Sequence, residues 1–146
     1  MTTPELTNLE RRRIQMEYVV PLIRDLQRLI GTETVNEALA RRAEPEDGAP
    51  GSSADFSRMA AGVETFAAGD ALDYEIIASD EDSFDLNITR CSYEEMMDEL
   101  GARDIGHLLI CNLDYPAAAQ IGMDLERTQT RMQGASHCDF RYRRRS

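Results

Sequence analysis

The hydrophobic spacing of the sequence changes once, near Gly69 and Asp70, and this change limits the fold more than any other pattern. Before it, apolar residues recur at steps of three and four, which is typical of amphipathic helices. After it, apolar and polar residues alternate, which is typical of antiparallel strands with one buried face. We therefore predict an α+β domain in which N-terminal helices pack on an antiparallel sheet formed by the C-terminal half.

The region before this change predicts three helical segments and a loop. Residues 1–43 have helical spacing, and Gly31 predicts a break between two helices, so this stretch should form a helical hairpin. Residues 44–55 are rich in Pro, Gly, Ser and acidic residues and predict a mobile surface loop, either a linker or a lid. Helical spacing returns over residues 56–68. This helix begins the half of the chain that we predict to carry the site, residues 56–146.

The C-terminal half predicts two hairpins of strands with helix between them. Alternation over residues 72–76 and 84–88 predicts the first hairpin, closed by an acidic turn. Ser92 predicts the N-cap of a helix that ends at Gly101. The apolar run around Cys111 fits either a short strand or a core helix.

The last hairpin should join strands at residues 125–132 and 137–143. In the second of these strands, Cys138, Phe140 and Tyr142 share one face, so the thiol should point into the core.

Composition limits the class of protein. A chain of 146 residues with 42% hydrophobic content predicts a single domain, residues 1–146. The net charge of −11 argues against nucleic acid as a partner. No apolar run approaches the roughly 18 residues of a membrane span, so we predict no membrane partner. Three widely spaced cysteines without a CxxC pair predict free thiols and a cytoplasmic protein.

The positive charge is concentrated at the C-terminal end. All 16 cationic residues are Arg, acidic residues dominate residues 44–99, and the sign reverses over residues 127–146. Arg127 and Arg131 fall inside the predicted strand region and could face an anionic ligand. The same region carries Cys138, which from the residues alone could be core packing, a metal ligand or an activated nucleophile.

Three motifs resemble the L-2-amino-thiazoline-4-carboxylic acid hydrolase family. The similarity covers roughly residues 74–142 and includes a "TRC-x-Y-x-E" segment, a "C-x-x-D" segment and the closely spaced "R-T-x-T-x-x-x-G-A-x-H-C-D-F". In this chain the matching residues are Thr89, Arg90, Cys91, Tyr93, Glu95, Cys111, Asp114, Arg127, Thr128, Thr130, Gly134, Ala135, His137, Cys138, Asp139 and Phe140.

This resemblance implies a hydrolase that opens a small cyclic C=N carboxylate without a cofactor. Such a reaction needs a nucleophile, a proton donor or acceptor and a cation for the carboxylate. The implied nucleophile is Cys138 or Cys111, and Asp114 or His137 would transfer the proton. Arg127 or Arg131 would hold the carboxylate.

Four further residues, Cys91, Thr128, Thr130 and Asp139, are implied substrate contacts. We predict no metal, because the three cysteines are far apart in sequence and offer no close ligand pair.

Other functions remain open at this point. A fainter similarity to vinyl-reductase-like ligand-binding domains implies a small-molecule binding or sensor domain without catalysis. A small metalloprotein built on Cys111, Cys138 and His137 is the third possibility. The long N-terminal amphipathic helix could pack against a second copy of the chain, so a homodimer is also predicted.

Overall fold

The computed structural model describes residues 5–45 and 47–146. The helices are α1 (Asn8–Ile30), α2 (Thr32–Arg41), α3 (Met59–Ala67), α4 (Ser92–Glu99), α5 (Arg103–Leu109) and α6 (Asp114–Gln120). The strands are β1 (Leu72–Ser79), β2 (Ser83–Cys91), β3 (Met123–Glu126) and β4 (Cys138–Arg144). The predicted α+β class, with most helix before an antiparallel C-terminal sheet, is confirmed. Within the described residues, none of the helices is long and apolar enough to cross a membrane.

The N-terminal hairpin forms as its sequence predicts. Thr7 caps α1, because its hydroxyl accepts a hydrogen bond from the backbone N–H of Glu10 at 3.1 Å. The helix continues through Pro21 and ends at Gly31, whose φ of 99° lies in the region that favours glycine. The predicted break at Gly31 is therefore confirmed, and α2 follows directly.

The helices α1, α2, α4 and α5 share a core, here called the helical core. Its buried side chains come from all four helices and from the short 3-10 turn Arg131–Gln133. The members include Met16, Val20, Ile23, Val35, Leu39, Tyr93, Met96, Met97, Ile105, Leu108, Leu109 and Met132. This core therefore ties the N-terminal hairpin to the helices that follow β2.

The four strands form one antiparallel sheet in the order β1-β2-β4-β3. The β1–β2 hairpin was predicted and is confirmed; Asp80 closes its turn by accepting the backbone N–H groups of Asp82 and Ser83. The β4 strand lies between β2 and β3, and Cys138 stands opposite Ile88. This pairing brings the end of the chain to the middle of the sheet.

One face of the sheet packs on α3 and α6 and forms the second core, here called the sheet core. Its buried residues are Phe56, Val63, Phe84, Leu86, Ile88, Ala118, Met123, Cys138 and Phe140. The predicted inward direction of the Cys138 thiol is confirmed, since only 6% of this residue is exposed. Both α3 and α6 therefore pack over the face of the sheet to which Cys138 points.

Two predicted boundaries need correction. The strand predicted over residues 125–132 ends at Glu126. Beyond it the carboxylate of Asp139 accepts the backbone N–H groups of Thr128 and Gln129, which replaces strand pairing. The N-cap of α4 is Cys91 rather than Ser92, because Ser92 already belongs to the helix.

The segment left open between strand and helix is helical: α5, the 3-10 turn Cys111–Leu113 and α6 follow each other without a strand. The loop over residues 44–55 was predicted as a linker or a lid, and Glu46 of this loop lies outside the described residues. The backbone N–H of Ala49 bonds to the carbonyl of Ala119, and Arg144 donates to the carbonyls of Gly51 and Ala54. These bonds attach the second part of the loop to α6 and β4.

Candidate active site

A cavity of about 610 Å³ lies between the sheet, α3 and the α5–α6 region. Most of its walls are apolar, and they come from α3, β2, β3, β4 and the helices around Cys111. The apolar lining residues include Met59, Val63, Phe66, Leu72, Leu86, Ile88, Ile110, Ile121, Met123 and Phe140. A concave apolar cavity with a few polar groups is the usual form of a small-molecule site.

All three cysteines and Asp114 line this cavity. Each arrives from a different element: Cys91 ends β2, Cys111 begins the 3-10 turn after α5, Asp114 begins α6, and Cys138 begins β4. The fold thus brings together three thiols and one carboxyl that are separated in sequence.

Arg127 holds Asp114 from outside the cavity. Its guanidinium, 2% exposed, donates to the Asp114 carboxylate at 3.0 Å and to the carbonyl of Cys111 at 3.1 Å. The rings of Tyr115 and Phe140 each lie 5.0 Å from the guanidinium carbon. These contacts fix both the position and the charge of the arginine.

The acidity of Asp114 suits proton transfer at neutral pH. Burial raises the pKa of this carboxyl to about 6, against the opposing effect of the Arg127 charge and hydrogen bond. About a third of the side chain, 31%, is accessible, and it lies on the cavity wall. A carboxylate with a pKa near 6 is ionised at pH 7 and still basic enough to accept a proton.

The thiols are neutral in the absence of a base. Burial raises the pKa of Cys91 to about 11, and it also raises the pKa of Cys111 and of Cys138. At Cys138 three effects oppose burial: the backbone N–H of Arg131 donates to Sγ at 3.2 Å, and the charges of Arg127 and Arg131 favour the thiolate. Cys138 therefore has the most support for a negative charge.

Comparison with known proteins identifies the family of the chain. A family model described as L-2-amino-thiazoline-4-carboxylic acid hydrolase matches residues 11–142. The chain belongs to this hydrolase family. No curated protein matches the sequence. The family match includes the N-terminal helices as well as the sheet, so the similarity extends beyond the residues that carry the three motifs.

The remaining residues of the family motif "R-T-x-T-x-x-x-G-A-x-H-C-D-F" shape the loop before β4. The Asp139 carboxylate binds the hydroxyl and the N–H of Thr128. Thr130 is buried and accepts the backbone N–H of Gln133 at 3.2 Å. His137 contacts Ser136 and Gln129. These four motif residues therefore form hydrogen bonds within the loop before β4. They are not among the residues that line the cavity.

Arg131 lies in a second buried ion network. It donates to Glu94 at 3.0 Å and to the carbonyl of Ser136 at 2.7 Å, while Arg103 donates to the other oxygen of Glu94 at 2.7 Å. Glu94 is 7% exposed, so these cations offset the cost of burying its charge. This network joins α4, α5 and the loop before β4.

Sequence reasoning missed the polar residues at one edge of the cavity. Ser53, Asp55, Arg58 and Gln120 all line it. The Arg58 side chain is 87% exposed and lies 3.7 Å from Asp55. A signal for Arg58 was present in the sequence, because it is one of only two arginines in the acidic stretch of residues 44–99.

The arrangement of the candidate ligands bears on metal binding. Across residues 5–45 and 47–146, no three His, Cys, Asp or Glu side chains form a group that could hold a metal ion. The three cavity cysteines and Asp114 thus face a shared space without forming a compact set of ligands.

Proposed function

We propose that the protein hydrolyses a cyclic C=N carboxylate of the thiazoline or amidine type, with Cys138 as the nucleophile and Asp114 as the proton carrier. The observation that supports this most is the convergence of Cys138, Cys111 and Asp114 on one cavity. The family description names a substrate of the same chemistry, a ring whose C=N carbon is electrophilic.

The first half of the reaction opens the ring. Asp114 accepts the Cys138 proton, and the sulfur forms a bond to the trigonal carbon of the C=N group. The electron pair of the C=N bond moves to the ring nitrogen, which takes the proton held by Asp114. The bond from that carbon to the ring sulfur then breaks as the lone pair of the exocyclic amino nitrogen forms a new C=N bond. Asp114 accepts the proton that this amino group releases and passes it to the departing sulfur.

The second half releases the enzyme. Asp114, ionised again, accepts a proton from water as its oxygen attacks the carbon bonded to Cys138. The carbon–sulfur bond to Cys138 breaks and the thiol is restored with its proton. The net change adds one water and yields a carbamoyl product with a free thiol. Cys111 is the second candidate nucleophile, because Asp114 follows it by three residues on the same cavity wall.

The substrate carboxylate needs a cation that reaches the cavity. Arg127 and Arg131, the two predicted clamps, already bind the carboxylates of Asp114 and Glu94. We therefore assign them to stabilising the Cys138 thiolate through their charge. Arg58, which lines the cavity and is largely exposed, is the better partner for a substrate carboxylate.

A second candidate function is ligand binding without turnover. The mainly apolar walls and the raised pKa values of all three thiols favour it, since a binding domain needs no thiolate. It corresponds to the vinyl-reductase-like similarity of the sequence. The two candidates differ in whether a bound ring is opened.

The experiment uses the full chain with L-2-amino-thiazoline-4-carboxylate and follows the carbamoyl product by mass spectrometry. We expect turnover by the wild type and a loss of about 100-fold or more in Cys138→Ser, in line with removal of a nucleophile. Cys91→Ser makes the same exchange at a thiol that is an implied substrate contact and not a candidate nucleophile, so it should raise KM and keep kcat within about threefold. Saturable binding without product from any cyclic amidine would favour the binding domain instead.

A further inference from the structure

The cavity is much larger than the ring in the family description. Cavities of roughly 300–1,000 Å³ hold drug-sized ligands, and this one has a volume of about 610 Å³. A thiazoline carboxylate has only about nine non-hydrogen atoms, well below the size of ligand that such a cavity takes. Most of the volume would therefore be empty around that ring.

The extra volume runs along β4. Cys138, Phe140 and Tyr142 lie on one face of this strand and all line the cavity. The backbone rises by roughly 13 Å over the four residue steps from Cys138 to Tyr142, and both of these residues line the cavity. The opposing β2 residues, Ile88 beside Cys138 and Leu86 beside Phe140, follow the same line.

The walls of the cavity beyond Cys138 are mainly apolar. The part around Cys138 is here called the reactive end. Leu86 and Phe140 line the cavity from the sheet, and the facing α3 helix adds Met59 and Val63. An apolar substituent placed there would leave water and meet hydrocarbon on both sides.

We propose that the natural substrate is a cyclic C=N carboxylate bearing an apolar alkyl or aryl substituent that lies between β4 and α3. This proposal rests on the proposed function, because the ring must be placed at Cys138 for the substituent to follow the strand. The unsubstituted thiazoline is then a poor substrate that uses only the reactive end of the cavity.

The test is a series of 2-(alkylamino)-thiazoline-4-carboxylates of increasing chain length. We expect kcat/KM to rise by roughly two- to fourfold for each added methylene, the gain from burying one such group. The rise should stop once the chain is longer than the roughly 13 Å that the strand provides. A steady fall from the unsubstituted ring onward would overturn the proposal and leave the hydrolase assignment intact.

A cavity-filling variant locates the substituent. Val63→Phe adds volume between α3 and the sheet, so the ratio of kcat/KM for the hexylamino ring to that for the unsubstituted ring should fall by about tenfold or more. Ile77→Phe is the matched control on exposed β1, and it should leave the ratio at its wild-type value. An equal ratio in both variants would overturn the assigned position.

Protection of Cys138 by decanoate, a fatty acid without a C=N ring, separates failure of this proposal from failure of the proposed function. The measurement is the rate at which iodoacetamide labels Cys138 with and without decanoate. If no ring is opened and decanoate still protects Cys138 from iodoacetamide, hydrolysis fails as the function and the apolar ligand class stands. If no ring is opened and decanoate gives no protection, both fail. If rings are opened fastest with long substituents, both are supported.

A separate observation concerns the outer face of α1. Ile14, Tyr18, Leu22 and Leu29 form a line on this helix, and each is about half exposed or more, with Tyr18 at 81%. The helix buries its other side in the helical core. Exposed apolar side chains grouped on one face of a helix are typical of a surface that contacts another protein.

The charges at the two ends of this line are complementary to each other. Arg11 lies one turn before Ile14, and Asp25 lies one turn after Leu22; both are exposed. Arg28 donates to the Asp25 carboxylate within α1. In an antiparallel pair of α1 helices centred on Tyr18, each Arg11 faces the Asp25 of the other copy, and each Ile14 faces a Leu22.

We propose that the part of this line from Ile14 to Leu22 is the interface of a homodimer, with the two α1 helices antiparallel. Opposite charges at facing positions set the direction of helix pairing. The paired stretch from Arg11 to Asp25 spans about 21 Å of helix, the length of two heptads.

Sedimentation equilibrium tests the direct contact. We expect a wild-type dimer at about 100 μM and a monomer for Tyr18→Glu, with Ile77→Glu as a matched control that stays dimeric. Arg11→Asp should weaken the dimer by about tenfold, and adding Asp25→Arg should restore it. A monomeric wild type, or a dimer that Tyr18→Glu leaves unaffected, would overturn the proposal. Failure of the double exchange to restore the dimer would overturn the antiparallel arrangement.

Discussion

The two cores of this protein differ in whether they border the cavity. Both contain side chains with no exposed surface, such as Met97 in the helical core and Phe84 in the sheet core. Seven of the nine buried residues of the sheet core line the cavity, whereas, among the described residues, Tyr93 is the one buried residue of the helical core that does. A packed core provides stability, whereas a core beside a cavity provides space for a ligand.

The largest effect on stability is expected at the contact between helices and sheet, in Arg127→Ala. The substitution removes a guanidinium side chain that is 2% exposed from between Tyr115 and Phe140, and it leaves the Asp114 carboxylate on the cavity wall without its cation. Loss of one partner from a buried ion pair costs about 3–5 kcal/mol in the free energy of unfolding. Urea unfolding measures this free energy. A loss below about 1 kcal/mol would contradict the prediction, because it would equal the contribution of an exposed ion pair.

An isoleucine-to-alanine substitution in each core tests the difference between the two cores. Ile105→Ala in the helical core should reduce the free energy of unfolding by about 3–4 kcal/mol, because the surrounding side chains leave a new hole. Ile88→Ala on the cavity wall should cost about 2 kcal/mol, near the lower end for such exchanges, since it enlarges a space that already exists. Equal losses in urea unfolding would contradict the difference between the two cores.

The pH dependence of turnover should report Asp114. Its pKa of about 6 is raised by burial, so the carboxyl is protonated below pH 6 and unable to accept a proton. We expect kcat/KM to fall tenfold per pH unit below about pH 6 and to level off above it. Removing the opposing charge in Arg127→Gln should move the inflection to higher pH. A profile without an inflection between pH 5 and 7 would exclude Asp114 as the base.

The smallest effect is expected for exposed ion pairs of the helices. Arg41 and Glu37 lie 3.1 Å apart on α2, with about 70% of each side chain exposed. Arg41→Ala should change the free energy of unfolding by less than about 0.5 kcal/mol, because water screens the pair. A loss above about 1 kcal/mol would mean that surface charge, rather than filling, stabilises the helical core.

Local patterns predicted most of the secondary structure. The alternation at residues 72–76 and 84–88 identified the first hairpin, and Gly31 identified the helix break. The strand predicted to reach residue 132 was wrong past Glu126, because the Asp139 side chain takes the N–H groups of Thr128 and Gln129. Such a competition between a side chain and a strand partner has no signature in the alternation itself.

The site was predictable in its residue types and less so in its assembly. Cys138, Cys111 and Asp114 could be selected by motif and resemblance, and they do line one cavity. Their convergence depends on contacts between residues distant in sequence, such as the hydrogen bonds of Arg127 to Asp114 and to the carbonyl of Cys111. Arg58 was missed because it approaches the cavity from a helix with no motif around it.

The most direct test of the account is a rapid-quench experiment with L-2-amino-thiazoline-4-carboxylate, followed by mass spectrometry of the digested protein. We predict that the peptide containing Cys138 gains the mass of the ring-opened substrate within one turnover and then loses it as carbamoyl product forms. Asp114→Asn should slow the appearance of this adduct by about 100-fold or more. Product formation at the wild-type rate in Cys138→Ser, with no adduct on any cysteine, would contradict the covalent role of the cavity thiol.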